Sequence, residues 1–227
     1  MGARDCGAGL VVVSRKLVAW LTLVGAVSAL GYADRIAGGK PPKDVVYKYS
    51  TAISELLLFG VILVLVLVIA RGLPRRETFA LRPPRSWGRA AGLALAVFIA
   101  IWVVSLALDP VLHPGREQGL APPTWEPAHA AAFGLNVFAL AVVGPIVEEL
   151  TFRGLGFTLL ARYGQAFAIV AVGVAFALWH GLIEALPVLF VFGAGLAFIR
   201  SRTRSIYPCM TLHALFNGLA LAIAVTI

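Results

Sequence analysis

Charge is scarce in this chain of 227 residues. Asp, Glu, Lys and Arg together make up 13% of it, against about 25% in a soluble domain. Hydrophobic residues make up 60% and the mean hydropathy is +0.90. The shortage excludes an ordinary soluble globule, and no stretch marks a separate soluble domain. Cysteine is scarce too: Cys6 and Cys209 stand far apart, outside any CxxC or metal-ligand spacing. That excludes a disulfide framework, and Cys209 reads as a small apolar filler in a buried helix. There is no internal repeat, no low-complexity tract and no HExxH zinc motif. Acidic residues are outnumbered 11 to 19, for a net charge of +8. The basic residues lie in short loops between apolar runs, which is a topology signal and not a nucleic-acid signature.

What is present is a series of apolar runs. They define an all-α, polytopic transmembrane helix bundle of about seven spans. The runs cover about 17–32, 51–70, 87–108, 128–162, 165–184, 186–199 and 206–227. Arg71, Arg75, Arg76, Arg82, Arg85 and Arg89 crowd one loop, and Arg200, Arg202 and Arg204 another. Both read as cytoplasmic, and the first also suits anionic lipid head groups. The segment from Asp109 to Pro127 is net acidic, rich in Pro and Gly, and reads as external. The N-terminus is then cytoplasmic and the C-terminus external; Lys40, Lys43 and Lys48 in the first external linker run against the rule. Val27-Ser28-Ala29 resembles a signal-peptidase site, so a cleaved leader rivals a retained first helix. Glu55, in the first turn of the second span, reads as a helix-start carboxylate at the interface, with a buried polar residue as the alternative. Gly193 and Ala197 are small enough to let helices approach closely. The organisation is one membrane domain, with residues 1–128 carrying no motif and residues 129–227 carrying several.

The chain is organised around Gly144 to Gly154, which reads Gly-Pro-Ile-Val-Glu-Glu-Leu-Thr-Phe-Arg-Gly. Each ionisable side chain at membrane depth costs about 2.5–3.5 kcal/mol, yet Glu148, Glu149 and Arg153 fall within six residues. On a helix, Glu149 and Arg153 share a face, four residues apart in the favourable order. Glu148 points about 100° away. Arg153 therefore neutralises Glu149 and leaves Glu148 to face something else, although a structural salt bridge between helices is the plainer reading. The fourth run, roughly 35 residues long, exceeds one straight span. Gly144-Pro145 is the expected place for a break, which would set Glu148 near a helix N-terminus.

Two further pairs lie four residues apart on later helices: Phe176 with His180, and His213 with Asn217. The other histidines, His113 and His129, belong in or beside the external segment. A lone intramembrane histidine is most often a helix–helix hydrogen bond. A carboxylate, two imidazoles and an amide on separate helices make a different case. Carboxylate and imidazole activate a water for attack on a carbonyl, while imidazole N–H and amide groups stabilise the oxyanion that forms. Depth is the difficulty. At about 1.5 Å per residue, His213 stands roughly 10 Å into its span and His180 roughly 22 Å into its own. The two meet only if the helices tilt, start at different levels or are broken.

Glu-Glu-x-x-x-Arg, Phe-x-x-x-His and His-x-x-x-Asn, in that order on late apolar helices, resemble the motifs of the CPBP family. These are intramembrane proteases related to the type II CAAX prenyl endopeptidases, also called the Abi family. The resemblance runs from Ala130 to the C-terminus. It implies a cavity formed by the last four spans and open to cytoplasm and lipid. It further implies that Glu148 is the general base, that His180 binds and activates the water, and that His213 and Asn217 hold the oxyanion. Glu149, Arg153 and Phe176 match the supporting positions. No cofactor is expected on a glutamate mechanism; the alternative is zinc on Glu148, His180 and His213. The implied partners are a protein or peptide substrate, lipidated or embedded in the membrane, and membrane lipids, with no nucleic acid. The implied place is a bacterial plasma membrane. Two readings outside proteolysis stand beside this one. The motif residues serve a non-catalytic scaffold or immunity-type protein of the same fold, or they serve a small transporter or proton relay, although no inverted repeat supports the latter.

Overall fold

The computed structural model describes residues 3–38, 44–112, 117 and 124–225, with side chains from residue 13 onward. Arg116, Lys40, Lys43, Pro41, Pro42 and His113, and the side chain of Cys6, lie outside the described residues. Seven long helices follow one another: α1 (Ala3–Gly38), α2 (Tyr49–Ile69), α3 (Trp87–Leu112), α4 (Pro127–Tyr163), α5 (Gln165–Trp179), α6 (Leu186–Thr203) and α7 (Tyr207–Ala224). No strand occurs among the described residues. Six of the seven are long and apolar enough to cross a membrane; α5, with 15 residues, is shorter. The expected polytopic bundle is observed.

Two expected loops are partly helical. Helix α1 continues through residues 33–38, which read as linker, because Arg35 there is held by Glu117. Helix α3 runs on to Leu112 with Pro110 inside it. The proline falls in the last turn, where few backbone bonds remain to be lost.

The expected break at Gly144-Pro145 does not occur. Helix α4 stays helical and instead carries two wide π-helical stretches, Ala139–Val143 and Leu150–Gly156, one on each side of the two glutamates. The first stretch accommodates the proline. The Gly144 N–H reaches back to the Ala139 carbonyl, so the next carbonyl, that of Leu140, would await an N–H from Pro145, which has none. Asn217 fills the gap, donating from Nδ2 to Leu140 O at 2.9 Å.

Helix α4 is the centre of the bundle, and the N-terminal helices press aromatic rings into its glycines. A Cβ on Gly144 would lie 2.8 Å from the Phe59 ring of α2, and one on Gly154 2.7 Å from Phe79. On Gly156 it would lie 2.4 Å from the Trp20 ring of α1. Trp20 is fully buried, stands edge-on to Phe152, and donates from Nε1 to the Thr151 carbonyl at 2.9 Å. Lys16 caps the end of α2 through the carbonyls of Ile69 and Arg71. A cut after Ala29 would take Lys16 and Trp20 out of this packing. Helices α5 and α6 form a close hairpin in which Gly173 and Gly193 back onto each other, so Gly193 serves contact within the chain.

The arginine loops gather at one end. Arg82 Nε donates to Arg204 O, Thr158 Oγ1 to Thr78 O, and the Ile206 N–H to Ala80 O. Elsewhere the outside is greasy: Leu57, Val61, Val64 and Val68 of α2, and Leu95, Ile99, Val103 and Leu106 of α3, are exposed at helical spacing. Such stripes are unsuited to water and suited to acyl chains.

Candidate active site

The Glu-Glu motif splits as the helical spacing predicts. Glu149 and Arg153 are fully buried and paired, Oε1 to the guanidinium at 2.9 Å. The second Arg153 amino group donates to the Gly193 carbonyl of α6 at 2.9 Å. Its Cζ stands 4.5 Å over the Phe176 ring, a cation–π contact in a dry setting. These contacts tie α4 to α5 and α6 in the manner of a structural salt bridge.

The same Glu149 oxygen also meets Nδ1 of His213 at 2.9 Å. Paired with Arg153, Glu149 is an acceptor, so Nδ1–H donates and the ring is fixed in orientation. Nε2 is thereby aimed at Glu148, whose Oε2 is 3.7 Å away. Glu148 Oε2 is buried and accepts no hydrogen bond from the described residues, although the side chain keeps 12% exposure. The 3.7 Å gap is too long for a direct hydrogen bond. A neutral His213 presents an acceptor at Nε2 and a doubly protonated ring presents a donor, with Glu149 balancing its charge.

His180 is the last residue of its helical turn. Its ring folds back along α5, with Nδ1 2.8 Å from the Phe176 carbonyl, so Nδ1 donates and Nε2 is left available. That fold-back, the shortness of α5 and the position of Phe176 resolve the depth problem. The Phe176 ring touches both imidazoles, with centroids 4.7 Å from His180 and 5.7 Å from His213. His180 is within electrostatic reach of Glu148, His213 and Arg153. Phe176 also packs against Phe152 and Phe192, and is the hub on which the polar groups are arranged. Asn217 reaches the same helix, with one amide hydrogen committed to Leu140 O and the second free to act elsewhere.

All seven motif residues thus converge on the middle of α4. One further carboxylate belongs nearby. Glu55 stands in the second turn of α2, is half buried, and is close enough to Glu148 for the two to repel. It shares the face of α2 with Phe59, one turn on, whose ring rests on Gly144. The sequence reads it as a helix-start carboxylate at the interface, with a buried polar residue as the alternative; the structure half buries it. Its signal was the one already used for Glu148, an acid inside an apolar run.

Among the described residues no three His, Cys, Asp or Glu side chains are grouped to hold a metal ion. Glu148 and His213 approach one another without the third ligand that the zinc alternative needs.

Fold and site together define a polytopic helical membrane protein with a carboxylate–imidazole cluster inside the bundle. Residues 130–219 match the family model described as Type II CAAX prenyl endopeptidase Rce1-like. The chain is 28% identical over 186 residues to "Putative membrane peptidase YdiL" of Bacillus subtilis (strain 168), covering 80% of this chain and 75% of the relative. No solved structure matches it. The matched region carries all three motifs, and both matches support the resemblance to CAAX-protease-like membrane peptidases of the CPBP family that the order of the motifs implied.

Proposed function

We propose that the protein is an intramembrane endopeptidase that hydrolyses a peptide bond with water activated by Glu148 and His180. The observation that carries the reading is the approach of Glu148 Oε2 to His213 Nε2 at 3.7 Å, with Glu149 holding the far side of the imidazole. An acid with a free, buried oxygen beside an oriented imidazole is costly as mere structure and useful as chemistry.

In this reading a water lies against Glu148 Oε2 and Nε2 of His180. Glu148 takes its proton, and the hydroxide attacks the carbonyl carbon of the scissile bond. Negative charge collects on the carbonyl oxygen, where the second amide hydrogen of Asn217 and a doubly protonated His213 donate to it. Collapse breaks the C–N bond, and Glu148 returns its proton to the leaving amine. Arg153 acts at a distance, by pairing with Glu149 and holding it aimed at His213. The substrates on this reading are proteins or peptides that reach the site from the bilayer, lipidated or embedded. The arginine-rich end faces the cytoplasm of a bacterial cell, with the N-terminus on that side.

The test is Glu148→Gln, which keeps shape and hydrogen-bonding capacity and removes the base. Comparative proteomics of membranes from cells with the native and the altered protein should show substrates accumulating uncut in the variant. A non-catalytic role of the same fold draws support from one observation, the commitment of Asn217 to a backbone carbonyl that Pro145 leaves free. Function that survives Glu148→Gln intact would favour that role and end the protease reading.

A further inference from the structure

The segment that follows His180 is tied down by residues outside the matched family region. Helix α5 ends at Trp179 and the chain turns at Gly181, whose φ is +61°, a left-handed conformation that a side chain would strain. The turn rests directly on α1. A Cβ on Gly31 would lie 3.3 Å from Gly181 Cα and 4.0 Å from the His180 carbonyl carbon; one on Gly181 would lie 2.7 Å from the backbone of Gly31. Backbone meets backbone here, and neither glycine has room for a side chain.

Polar contacts then hold Gly181, Leu182, Ile183 and Ala185. Arg35 Nε donates to Gly181 O at 2.9 Å, and the Tyr32 hydroxyl to Leu182 O at 3.1 Å. The N–H groups of Ile183 and Ala185 donate to the two carboxylate oxygens of Glu117, at 2.7 and 3.0 Å. Glu117 is nearly buried and is itself paired with Arg35 at 2.9 Å. One ion pair therefore reaches both sides of the turn, since the guanidinium takes its carbonyl and the carboxylate takes its amides. A turn of this kind, at the mouth of a helix hairpin, would otherwise be free to fray.

We propose that Gly31, Tyr32 and Arg35 of α1, with Glu117, are positioning residues that fix His180 for catalysis. The inference rests on the protease reading, because it presumes that the place of the His180 ring matters. Among the described residues the His180 side chain makes one hydrogen bond, to Phe176 O one turn back, so the place of its ring depends on the backbone at residues 180 and 181. The clamp sets that backbone. It also gives the motif-free first helix a part in the chemistry: α1 seats Trp20 against the Glu-Glu helix at one level and locks the His180 turn at another.

The experiment uses the full chain in detergent or liposomes, labelled with 15N-histidine, the His180 ring signal being assigned by its absence in His180→Gln. Arg35→Leu, and Tyr32→Phe as the milder change, should shift or broaden the His180 ring signal and leave that of His213 in place. Arg35→Lys, which restores a donor, should restore much of it. On an internally quenched peptide library, the same variants should lose about 10- to 100-fold in kcat with little change in KM, the range expected for misplacement of a catalytic group. An unchanged His180 signal in both Arg35→Leu and Tyr32→Phe would overturn the clamp. So would a full kcat in Arg35→Leu when His180→Gln is inactive. If His180→Gln itself cleaves normally, the role given to His180 in the proposed mechanism has failed, and the ring signal, which needs no activity, still decides the clamp.

Discussion

Arg153→Met tests the buried network most severely. Native Arg153 is fully buried and neutralises Glu149, which is fully buried as well. Methionine keeps much of the volume and removes the charge, leaving a carboxylate in the interior with His213 as its remaining partner. Breaking a buried pair from one side costs about 3–5 kcal/mol. The lost bond to Gly193 O adds about 1 kcal/mol. For a chain of this size 1 kcal/mol moves Tm by about 2–4 °C, so the variant should melt roughly 8–24 °C lower. The pairing argument makes a second, sharper demand. Glu149→Gln/Arg153→Met removes both charges together and should be more stable than Arg153→Met alone, by about 1–3 kcal/mol of coupling. Thermal melts of the purified protein in detergent, read by tryptophan fluorescence, measure both. A single variant within about 1 kcal/mol of native, or a double variant less stable than the single, would refute the reasoning.

Three further outcomes are expected. Gly156→Val places branched carbons where the Trp20 ring already sits at 2.4 Å from an ideal Cβ; the overpacking should cost about 1–3 kcal/mol, seen as a lower melting temperature that Trp20→Ala partly relieves. Asn217→Ala removes the donor to Leu140 O and one donor to the oxyanion, so kcat should fall about 100-fold while stability drops by about 1 kcal/mol, measured by peptide cleavage and by melting. Prolonged dialysis against a chelator should leave cleavage unchanged; activity lost on chelation and restored by zinc would move the reading to metal catalysis.

The number and order of the helices were legible because apolar length is the strongest signal a membrane chain carries. The neutralised and free members of the Glu-Glu pair were legible because i,i+4 spacing survives local distortion: Glu149 reaches Arg153 even though a π-helical stretch begins at Leu150. What misled was the proline. Gly144-Pro145 reads as a break, whereas the chain absorbs the missing N–H with a wide turn upstream and an amide from α7. That partner is 77 residues away in sequence, beyond any local pattern. The convergence of His180 and His213 was also hidden, since it depends on the backward fold of one ring and on the Phe176 ring between them. Glu55 was assigned to the interface because its nearness to Glu148 arises only when α2 packs on α4. The Tyr32–Arg35 clamp left no trace, as its residues sit in what reads as the fringe of a linker.

The most direct test of the central claim is the fate of water oxygen. Membranes carrying the native protein, incubated in water enriched in 18O, should yield substrate fragments whose new carboxyl termini carry the label, and membranes carrying Glu148→Gln should yield none above background. Labelled termini formed equally by both would contradict the account.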